Sequence, residues 1–124
     1  MSTSERKILI VDDDSRNIFA LSLTLRSRGY SCVTSTEAPK AIQMMKQDST
    51  IGVVLLDMMM PEMDGYEALG VIREDGVLKN TPVVAVTAQA MPGDREKCIT
   101  AGASAYISKP VNVDELVELL KTYL

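Results

Sequence analysis

The chain has 124 residues, a length that fits one domain with a core of its own. It carries 13 basic and 17 acidic residues, a net charge of -4, and no lysine or arginine run, so we expect no direct nucleic-acid binding by this domain. It contains no histidine, which excludes phosphohistidine chemistry and histidine-based acid–base catalysis on the chain itself.

The cysteines and the apolar runs bear on where the protein works. Cys32 and Cys98 are isolated, form no CxxC pair and follow no secretion signal. The apolar runs are too short to span a bilayer. The sequence therefore predicts a cytoplasmic domain with reduced, packed cysteines and no membrane segment.

Two strand–helix units open the chain. A continuous apolar run at residues 7–11 is typical of a strand buried on both faces, and the helix after it ends at Gly29. A more polar strand at residues 30–35 is expected at an edge of the sheet. The second helix accepts Pro39 in its first turn. The inward faces of these two helices are predicted to comprise Ile18, Leu21, Leu25, Ala38, Ala41, Ile42 and Met45.

The third unit has the clearest signals. The run at residues 51–56 is the most strand-like in the sequence and stops at Asp57. Asp64 and Glu67 have the spacing of a capping box, in which each residue's side chain accepts a hydrogen bond from the other's backbone. A helix is therefore predicted after Asp64, with Leu69 and Ile72 facing inward.

Two more units complete the chain. Strands are predicted at residues 82–86 and 103–108, separated by a helix from about residue 93 to residue 101 whose apolar face is thin. Asn112 and Glu115 repeat the capping-box spacing before the last helix. The inward positions predicted for that helix are Val113, Leu116, Val117, Leu120 and Leu124.

Strands that alternate with helices predict an α/β domain, here one domain over residues 1–124, with a parallel sheet, right-handed crossovers and helices on both faces. Ligands of such sheets bind beyond the carboxyl ends of the strands. The residues at those ends are charged or carry a hydroxyl: Asp12, Asp13, Asp14, Asp57, Thr87 and Lys109.

A cluster of carboxylates at one edge needs positive charge. Two carboxylates ~4 Å apart repel by about 4 kcal/mol at an effective dielectric constant of 20. Mg²⁺ prefers oxygen ligands and often also binds phosphate, so Asp12 and Asp13 are predicted to bind a metal. Asp14 directly precedes a helix and is predicted to be its N-cap instead. Lys109 can pair with Asp57 when no phosphoryl group is present and with a phosphoryl oxygen when one is.

Five motifs stand at the strand ends and at the start of the third helix: Val11-Asp12-Asp13, Leu56-Asp57-Met58-Met59-Met60-Pro61, Asp64-Gly65, Val86-Thr87-Ala88 and Ser108-Lys109-Pro110. Through these motifs, and from end to end, the sequence resembles the receiver domain of two-component response regulators. Two longer stretches, VDDDSRN and TAQAMPGDREKC…GASAYISKPV, are similar to receivers of hybrid histidine kinases and phosphorelays. The resemblance implies a doubly wound, flavodoxin-like and CheY-like (βα)5 fold with strand order 2-1-3-4-5.

The resemblance also implies roles for single residues. Asp57 is expected to attack the phosphorus of a partner's phosphohistidine and form an acyl phosphate, while Thr87 and Lys109 each contact a phosphoryl oxygen. Pro110 is expected to follow a cis peptide bond. The metal, Mg²⁺ or Mn²⁺ in its place, is assigned to Asp13, Asp57 and the backbone carbonyl of Met59, with Asp12 holding a metal-bound water.

A phosphorylation switch follows from the same resemblance. Thr87 is expected to move toward the phosphoryl group and Tyr106 to turn inward into space that the small Ala88 leaves; a plain core tyrosine is the alternative for Tyr106. This movement changes the surface around the fourth helix, fifth strand and fifth helix. The implied partners are a histidine kinase or histidine phosphotransfer protein as donor, and a downstream protein or attached output domain.

Two positions depart from familiar versions of the site. Met59 is apolar where many receivers carry a polar side chain, and Gln89 is neutral where some carry an acid. Both are expected to flank the path of an attacking water. Because Met59 offers no side-chain acceptor to orient that water, slow autodephosphorylation is predicted.

Other classes fit less well. A phosphohydrolase that resembles the haloacid dehalogenases needs a second acid two residues after the nucleophile, where this chain has Met59. A flavodoxin-like flavin carrier needs a loop rich in hydroxyls and glycine after the first strand, whereas Asp12 to Asp14 would repel a phosphate. A calcium loop lacks the required order of acids after Asp57. A pseudo-receiver without chemistry would have lost residues that are all present here. The chain is expected to be a signalling module that catalyses only its own phosphorylation and dephosphorylation.

Overall fold

A computed structural model of the protein describes residues 6–88 and 91–124. Strands and helices alternate along it, as the sequence predicts. The strands are β1 (Lys7–Val11), β2 (Ser31–Ser35), β3 (Ile51–Asp57), β4 (Val83–Thr87) and β5 (Ala105–Ser108). The helices are α1 (Ser15–Ser27), α2 (Ala38–Gln47), α3 (Gly65–Glu74), α4 (Asp94–Thr100) and α5 (Val113–Tyr123).

The strands form one parallel sheet in the order β2-β1-β3-β4-β5. This confirms the predicted strand order and the edge position of β2. The register places Val11 beside Leu56, Asp57 beside Val86 and Thr87 beside Ser108. The carboxyl ends of these strands therefore meet at one edge of the sheet.

The core has two layers, one on each face of the sheet. Successive strand residues point to opposite faces, so Ile8 and Ile10 of β1 belong to one layer and Leu9 and Val11 to the other. Helices α1 and α5 cover the first layer, through residues such as Leu25, Leu116 and Leu120. Helices α2, α3 and α4 cover the second, through residues such as Ala41, Met45, Leu69, Ile72 and Cys98.

Three strands begin later than the sequence predicts: β4 begins one residue later, at Val83, and β2 and β5 begin later because a helix end uses the first residues of the predicted strand. Gly29 has φ 93° and Gly102 has φ 119°, the left-handed conformation that ends a helix. The next residues complete Schellman motifs: Tyr30 N–H donates to the Leu25 carbonyl at 3.1 Å, and Ala103 N–H donates to the Cys98 carbonyl at 3.0 Å. The strands therefore begin at Ser31 and Ala105.

The helix starts bear out most of the predicted caps. Asp64 and Glu67 form the full capping box of α3, and Asp14 caps α1 by accepting a hydrogen bond from Arg16 N–H. At α5 the Asn112 side chain accepts from Glu115 N–H, but the return bond of a capping box is absent from this described helix. Leu124 lies beyond α5 and is 37% exposed, so its predicted inward position holds only in part: its side chain packs against Gly52 of β3.

Both cysteines are buried and free, as expected. No helix in the part of the chain that the structure describes is long and apolar enough to cross a membrane.

Candidate functional site

The carboxyl edge of the sheet brings three carboxylates together. Asp12 follows β1 and is 7% exposed, Asp57 ends β3 and is 4% exposed, and Asp13 is exposed. One oxygen from each lies within 4.8 Å of the other two. Asp14 points to α1 as its cap and does not join this cluster.

Backbone N–H groups hold the two buried carboxylates in place. Asp12 Oδ1 accepts from Asp14 N–H at 2.9 Å, and Asp57 Oδ1 accepts from Met59 N–H at 3.0 Å. The Oδ2 atoms of both carboxylates face Lys109. Each carboxylate is therefore fixed through one oxygen and presents the other to the lysine.

Lys109 bridges the two carboxylates unequally. Its Nζ donates to Asp12 Oδ2 at 3.0 Å and lies 3.6 Å from Asp57 Oδ2. The sequence predicts pairing with Asp57, and the structure shows this contact together with a shorter one to Asp12. Lys109 therefore neutralises both carboxylates only in part.

The charges of the site shift the pKa values of two of its groups. Burial raises the pKa of Asp57, and the Asp12 charge adds to this rise; Met59 N–H and the Lys109 ammonium oppose it. Burial alone lowers the pKa of Lys109, but its contacts with Asp12 and Asp57 outweigh burial and raise it. Its contacts thus favour the cationic form of Lys109, whereas the negative charge of the Asp57 carboxylate is incompletely compensated.

The donor set suits a hard divalent cation. Mg²⁺ binds oxygen at about 2.0–2.1 Å, so opposite ligands in its octahedron lie about 4 Å apart. The oxygens of Asp12, Asp13 and Asp57 already lie within 4.8 Å of one another, which leaves only a small contraction. The side chain of Met59 is 48% exposed. The part of its carbonyl in metal binding stays a prediction.

Thr87 and Lys109 lie at the ends of neighbouring strands. Lys109 N–H donates to the Thr87 carbonyl at 2.8 Å, which ties these two ends together, and the Thr87 side chain is 2% exposed. The peptide bond between Lys109 and Pro110 is cis, as expected. Ala88 is exposed, and Gln89 lies outside the described residues.

Tyr106 of β5 is half-buried and packs against the core layer that α2, α3 and α4 cover. Its hydroxyl donates to Asp94 Oδ2, in the first residue of α4, at 3.3 Å. The predicted switch tyrosine is thus bonded to the neighbouring helix in this structure.

A cleft beside the carboxylates and an apolar surface on α1 do not follow from the strand-end argument. The cleft has a volume of about 570 Å³ and lies between α1 and the segment after β5, with Asp12, Asp57 and Lys109 among the lining residues. On α1, Phe19 and Leu23 are 68% and 58% exposed. Their spacing of four residues is the one sequence signal for this surface, because it places both on one side of the helix.

The fold and this strand-end constellation define a class of protein. The model of the response regulator receiver domain family matches residues 8–121. The chain therefore belongs to the response regulator receiver domains. It is a signalling domain rather than a conventional enzyme, of a kind that interacts with histidine kinases.

Individual relatives are similar over nearly their whole length. The polar-differentiation response regulators DivK of Brucella anthropi and Brucella ovis are each 32% identical to the chain over 119 residues, which is 96% of this chain and of theirs. A response regulator receiver protein from Pseudomonas putida superposes with a TM-score of 0.89 at 25% identity, over 98% of this chain and 99% of that one.

A third relative comes from a sensor kinase. The receiver domain of the sensor histidine kinase PA1611 from Pseudomonas aeruginosa has a TM-score of 0.86 at 32% identity, over 97% of this chain and 98% of that one. That structure contains a magnesium ion coordinated in the active-site cleft. The receiver assignment and the CheY-like fold expected from the sequence are thus confirmed.

Proposed function

We propose that this domain receives a phosphoryl group on Asp57 from the phosphohistidine of a histidine kinase or histidine phosphotransfer protein. The observation that carries this proposal is the buried Asp57 carboxylate within the three-aspartate cluster, with Lys109 Nζ 3.6 Å from its Oδ2. The chain has no histidine of its own, so the donor histidine belongs to a partner. Residues 1–124 are proposed to be one receiver domain that works in the cytoplasm.

In the transfer, an oxygen of Asp57 forms a bond to phosphorus while the bond from phosphorus to the histidine nitrogen breaks. The partner's imidazole keeps the bonding electron pair and takes up a proton. Asp57 suits the role of nucleophile because burial and the Asp12 charge raise its pKa, which leaves its carboxylate more basic than an exposed one. Met59 N–H fixes the orientation of that carboxylate.

Phosphoryl transfer depends mainly on positioning and on neutralising charge. We assign Mg²⁺, which Mn²⁺ could replace, to Asp13, Asp57 and the Met59 carbonyl, with Asp12 holding a water of the ion. When bound, the ion would neutralise charge on the phosphoryl oxygens. Lys109 transfers its ammonium contact from the carboxylates to one phosphoryl oxygen. The Thr87 hydroxyl donates to another. The acidic cluster and the magnesium-bound PA1611 receiver support this assignment.

The donor is proposed to dock on α1 and the segment after β5. Phe19 and Leu23 give α1 an exposed apolar side, and the cleft between α1 and the segment after β5 has Asp57 among its lining residues. A helical, histidine-bearing partner can cover such a side with its own apolar residues while its phosphohistidine approaches the aspartates.

The output is proposed to be a shift between two surface shapes. Thr87 moves toward the phosphoryl group, Tyr106 turns toward the space beside Ala88, and the surface of α4, β5 and α5 changes. A downstream protein or an attached output domain reads that surface.

Beryllofluoride with Mg²⁺ mimics an acyl phosphate and tests the proposal directly. The wild-type domain should bind it, Asp57→Ala should abolish binding, and Asp114→Ala should bind like wild type because Asp114 lies outside the carboxylate cluster and its side chain is 87% exposed. Absence of binding in the wild type, or binding that survives Asp57→Ala, would refute the proposed acceptor role. Phosphotransfer profiling against candidate kinases would then identify the donor.

A further inference from the structure

Helix α4 is attached to the rest of the domain by few buried contacts. It has seven residues, and Cys98 is the buried one among them. Its N-cap, Gly93, has φ 83° and makes no side-chain capping bond. Side-chain contacts with α3 and β5 therefore matter more for the position of α4 than they do for the longer helices.

Two tyrosine hydroxyls from two different elements reach this helix. Tyr66 of α3 lies with its hydroxyl 3.6 Å from Cys98 Sγ, and the Lys97 ammonium lies 4.8 Å from the centre of the Tyr66 ring. Tyr106 of β5 donates to Asp94 Oδ2 at 3.3 Å. Asp94 and Cys98 are four residues apart and thus lie on the same side of α4.

The two contacts differ in character. The Cys98 side chain is fully buried, whereas Asp94 and Tyr106 are half-buried at the N-terminal end of the helix. Burial and then the Asp94 charge raise the pKa of Tyr106, so its hydroxyl keeps its proton and remains a donor. Because it lies at the half-buried end of the helix, the contact between Tyr106 and Asp94 is the one that can break without disturbing the core.

We propose that Asp94 is a positioning residue that holds Tyr106 in its resting place until Asp57 is phosphorylated, while the contact between Tyr66 and Cys98 stays intact. This inference rests on the proposed function, because it names what opposes the movement of Tyr106. When the Tyr106 ring turns toward Thr87, its hydroxyl leaves Asp94 and releases the first turn of α4. The second turn remains fixed at Cys98.

The proposal predicts that removing the Asp94 carboxylate favours the phosphorylated shape. A ligand that binds only this shape binds more tightly when the shape costs less to reach. One hydrogen bond contributes a few-fold to tenfold in such an equilibrium. Asp94→Ala should therefore tighten the binding of beryllofluoride with Mg²⁺ by about three- to tenfold.

A double-mutant cycle tests whether Asp94 acts through the Tyr106 hydroxyl. Binding is measured by calorimetry for wild type, Asp94→Ala, Tyr106→Phe and the double variant. We expect each single variant to bind more tightly than wild type and the double variant to bind no more tightly than Tyr106→Phe. Glu96→Ala is the matched control, because Glu96 is the other acid in the first turn of α4 and is exposed.

Several outcomes would overturn the inference. If Asp94→Ala binds like wild type, or tightens binding equally with Tyr106 and with Phe at position 106, Asp94 does not act through that hydroxyl. If Glu96→Ala has the same effect, the cause is the charge at the helix end. If Asp94→Ala does not fold, Asp94→Asn takes its place, because asparagine keeps an acceptor without the charge. This variant should tighten the binding of beryllofluoride with Mg²⁺ by less than tenfold, and only when Tyr106 is present.

The same measurements separate this inference from the proposed function. If the wild type does not bind the mimic, both fail together. If the wild type binds, Asp57→Ala does not, and Asp94→Ala matches wild type, the acceptor role stands and only the role of Asp94 is refuted.

Discussion

Lys109 is shared between two carboxylates, and this has a consequence for the resting site. Its Nζ is 3.0 Å from Asp12 and 3.6 Å from Asp57, so neither charge is matched by an ammonium of its own. A single lysine that already contacts both acids can transfer to a new anion over a short distance. The arrangement therefore keeps the acceptor carboxylate reactive while limiting the repulsion between the aspartates.

Met59 provides a prediction about the lifetime of the phosphorylated state. Its side chain is 48% exposed beside Asp57 and has no strong hydrogen-bond acceptor to orient an attacking water. Met59→Asn introduces such an acceptor, so phosphate release should become roughly two- to tenfold faster, less than full general-base catalysis supplies. Release is followed after phosphorylation in the presence of Mg²⁺. Met59→Leu is the control and should release phosphate as slowly as wild type; an Asn variant no faster than wild type would contradict the prediction.

Asp48 provides a prediction about pH at the opposite end of the sheet. The Thr50 hydroxyl donates to its carboxylate, Lys7 Nζ lies 2.9 Å away, and these contacts lower the pKa of Asp48 to about 2. An unfolded aspartate has a pKa of about 3.9, so the stability gained is present above that pH and is lost as the pH falls toward 2.

The free energy of unfolding of Asp48→Asn should therefore lie below that of wild type by about 1 kcal/mol or less at pH 6, because the ion pair is partly exposed. The difference should shrink between pH 4 and pH 2. Urea unfolding across this range measures it, with Asp114→Asn as an exposed control. A difference that stays constant down to pH 2 would show that the Asp48 charge contributes nothing.

At the scale of elements, α1 and α4 differ in how many of their residues are buried against the sheet. Helix α1 has 13 residues and buries Ile18, Ser22 and Leu25, whereas α4 has seven and buries Cys98. The firmly packed helix carries the exposed apolar side, and the weakly packed one carries the contact with Tyr106. A rigid surface suits docking of a donor, and a loosely attached one suits a change of shape.

The apolar side of α1 can be tested without disturbing the fold. Phe19→Ser and Leu23→Ser should each slow phosphotransfer from the cognate donor about tenfold or more, as expected when an anchor of an interface is lost. Stability should change by about 0.5 kcal/mol or less, since both side chains are exposed, and beryllofluoride binding should be unchanged. Val77→Ser is the matched control, because Val77 is 82% exposed and lies in the segment between α3 and β4. Transfer at the wild-type rate in both α1 variants would place the docking surface elsewhere.

At the scale of the whole molecule, Mg²⁺ should stabilise the fold because the aspartates come together only when the sheet forms. At a concentration ten times its dissociation constant, the ion should raise the free energy of unfolding by about 1.4 kcal/mol. Asp13→Asn should lose most of this gain. Asp14→Asn should keep it, because asparagine also caps a helix and Asp14 lies outside the cluster. Equal responses of the two variants would argue against a metal at Asp13.

The sequence predicts the fold and the chemistry of the edge for a shared reason. In a parallel sheet, residues that follow different strands meet at one edge, so Asp12, Asp57, Thr87 and Lys109 are identified once the strands are. The sequence predicts less well what depends on distances across the fold. Three features depend on how the helices and side chains pack against the sheet: the preference of Lys109 for Asp12, the cleft beside α1, and the bond between Tyr106 and Asp94.

The predicted starts of β2 and β5 are wrong for a local reason. The Schellman motifs after α1 and α4 use the backbone N–H groups of Tyr30 and Ala103, which a pattern of apolar residues does not reveal. The glycines before these residues signal that a helix ends, but not how many of the following residues belong to its cap.

The two core layers place α1 and α4 on opposite faces of the sheet. A donor docked on α1, as proposed, would therefore leave α4 uncovered, so α4 could contact a second partner while the donor is bound. The effect of phosphorylation at Asp57 would then reach that partner across the single layer of strands that separates the two helices.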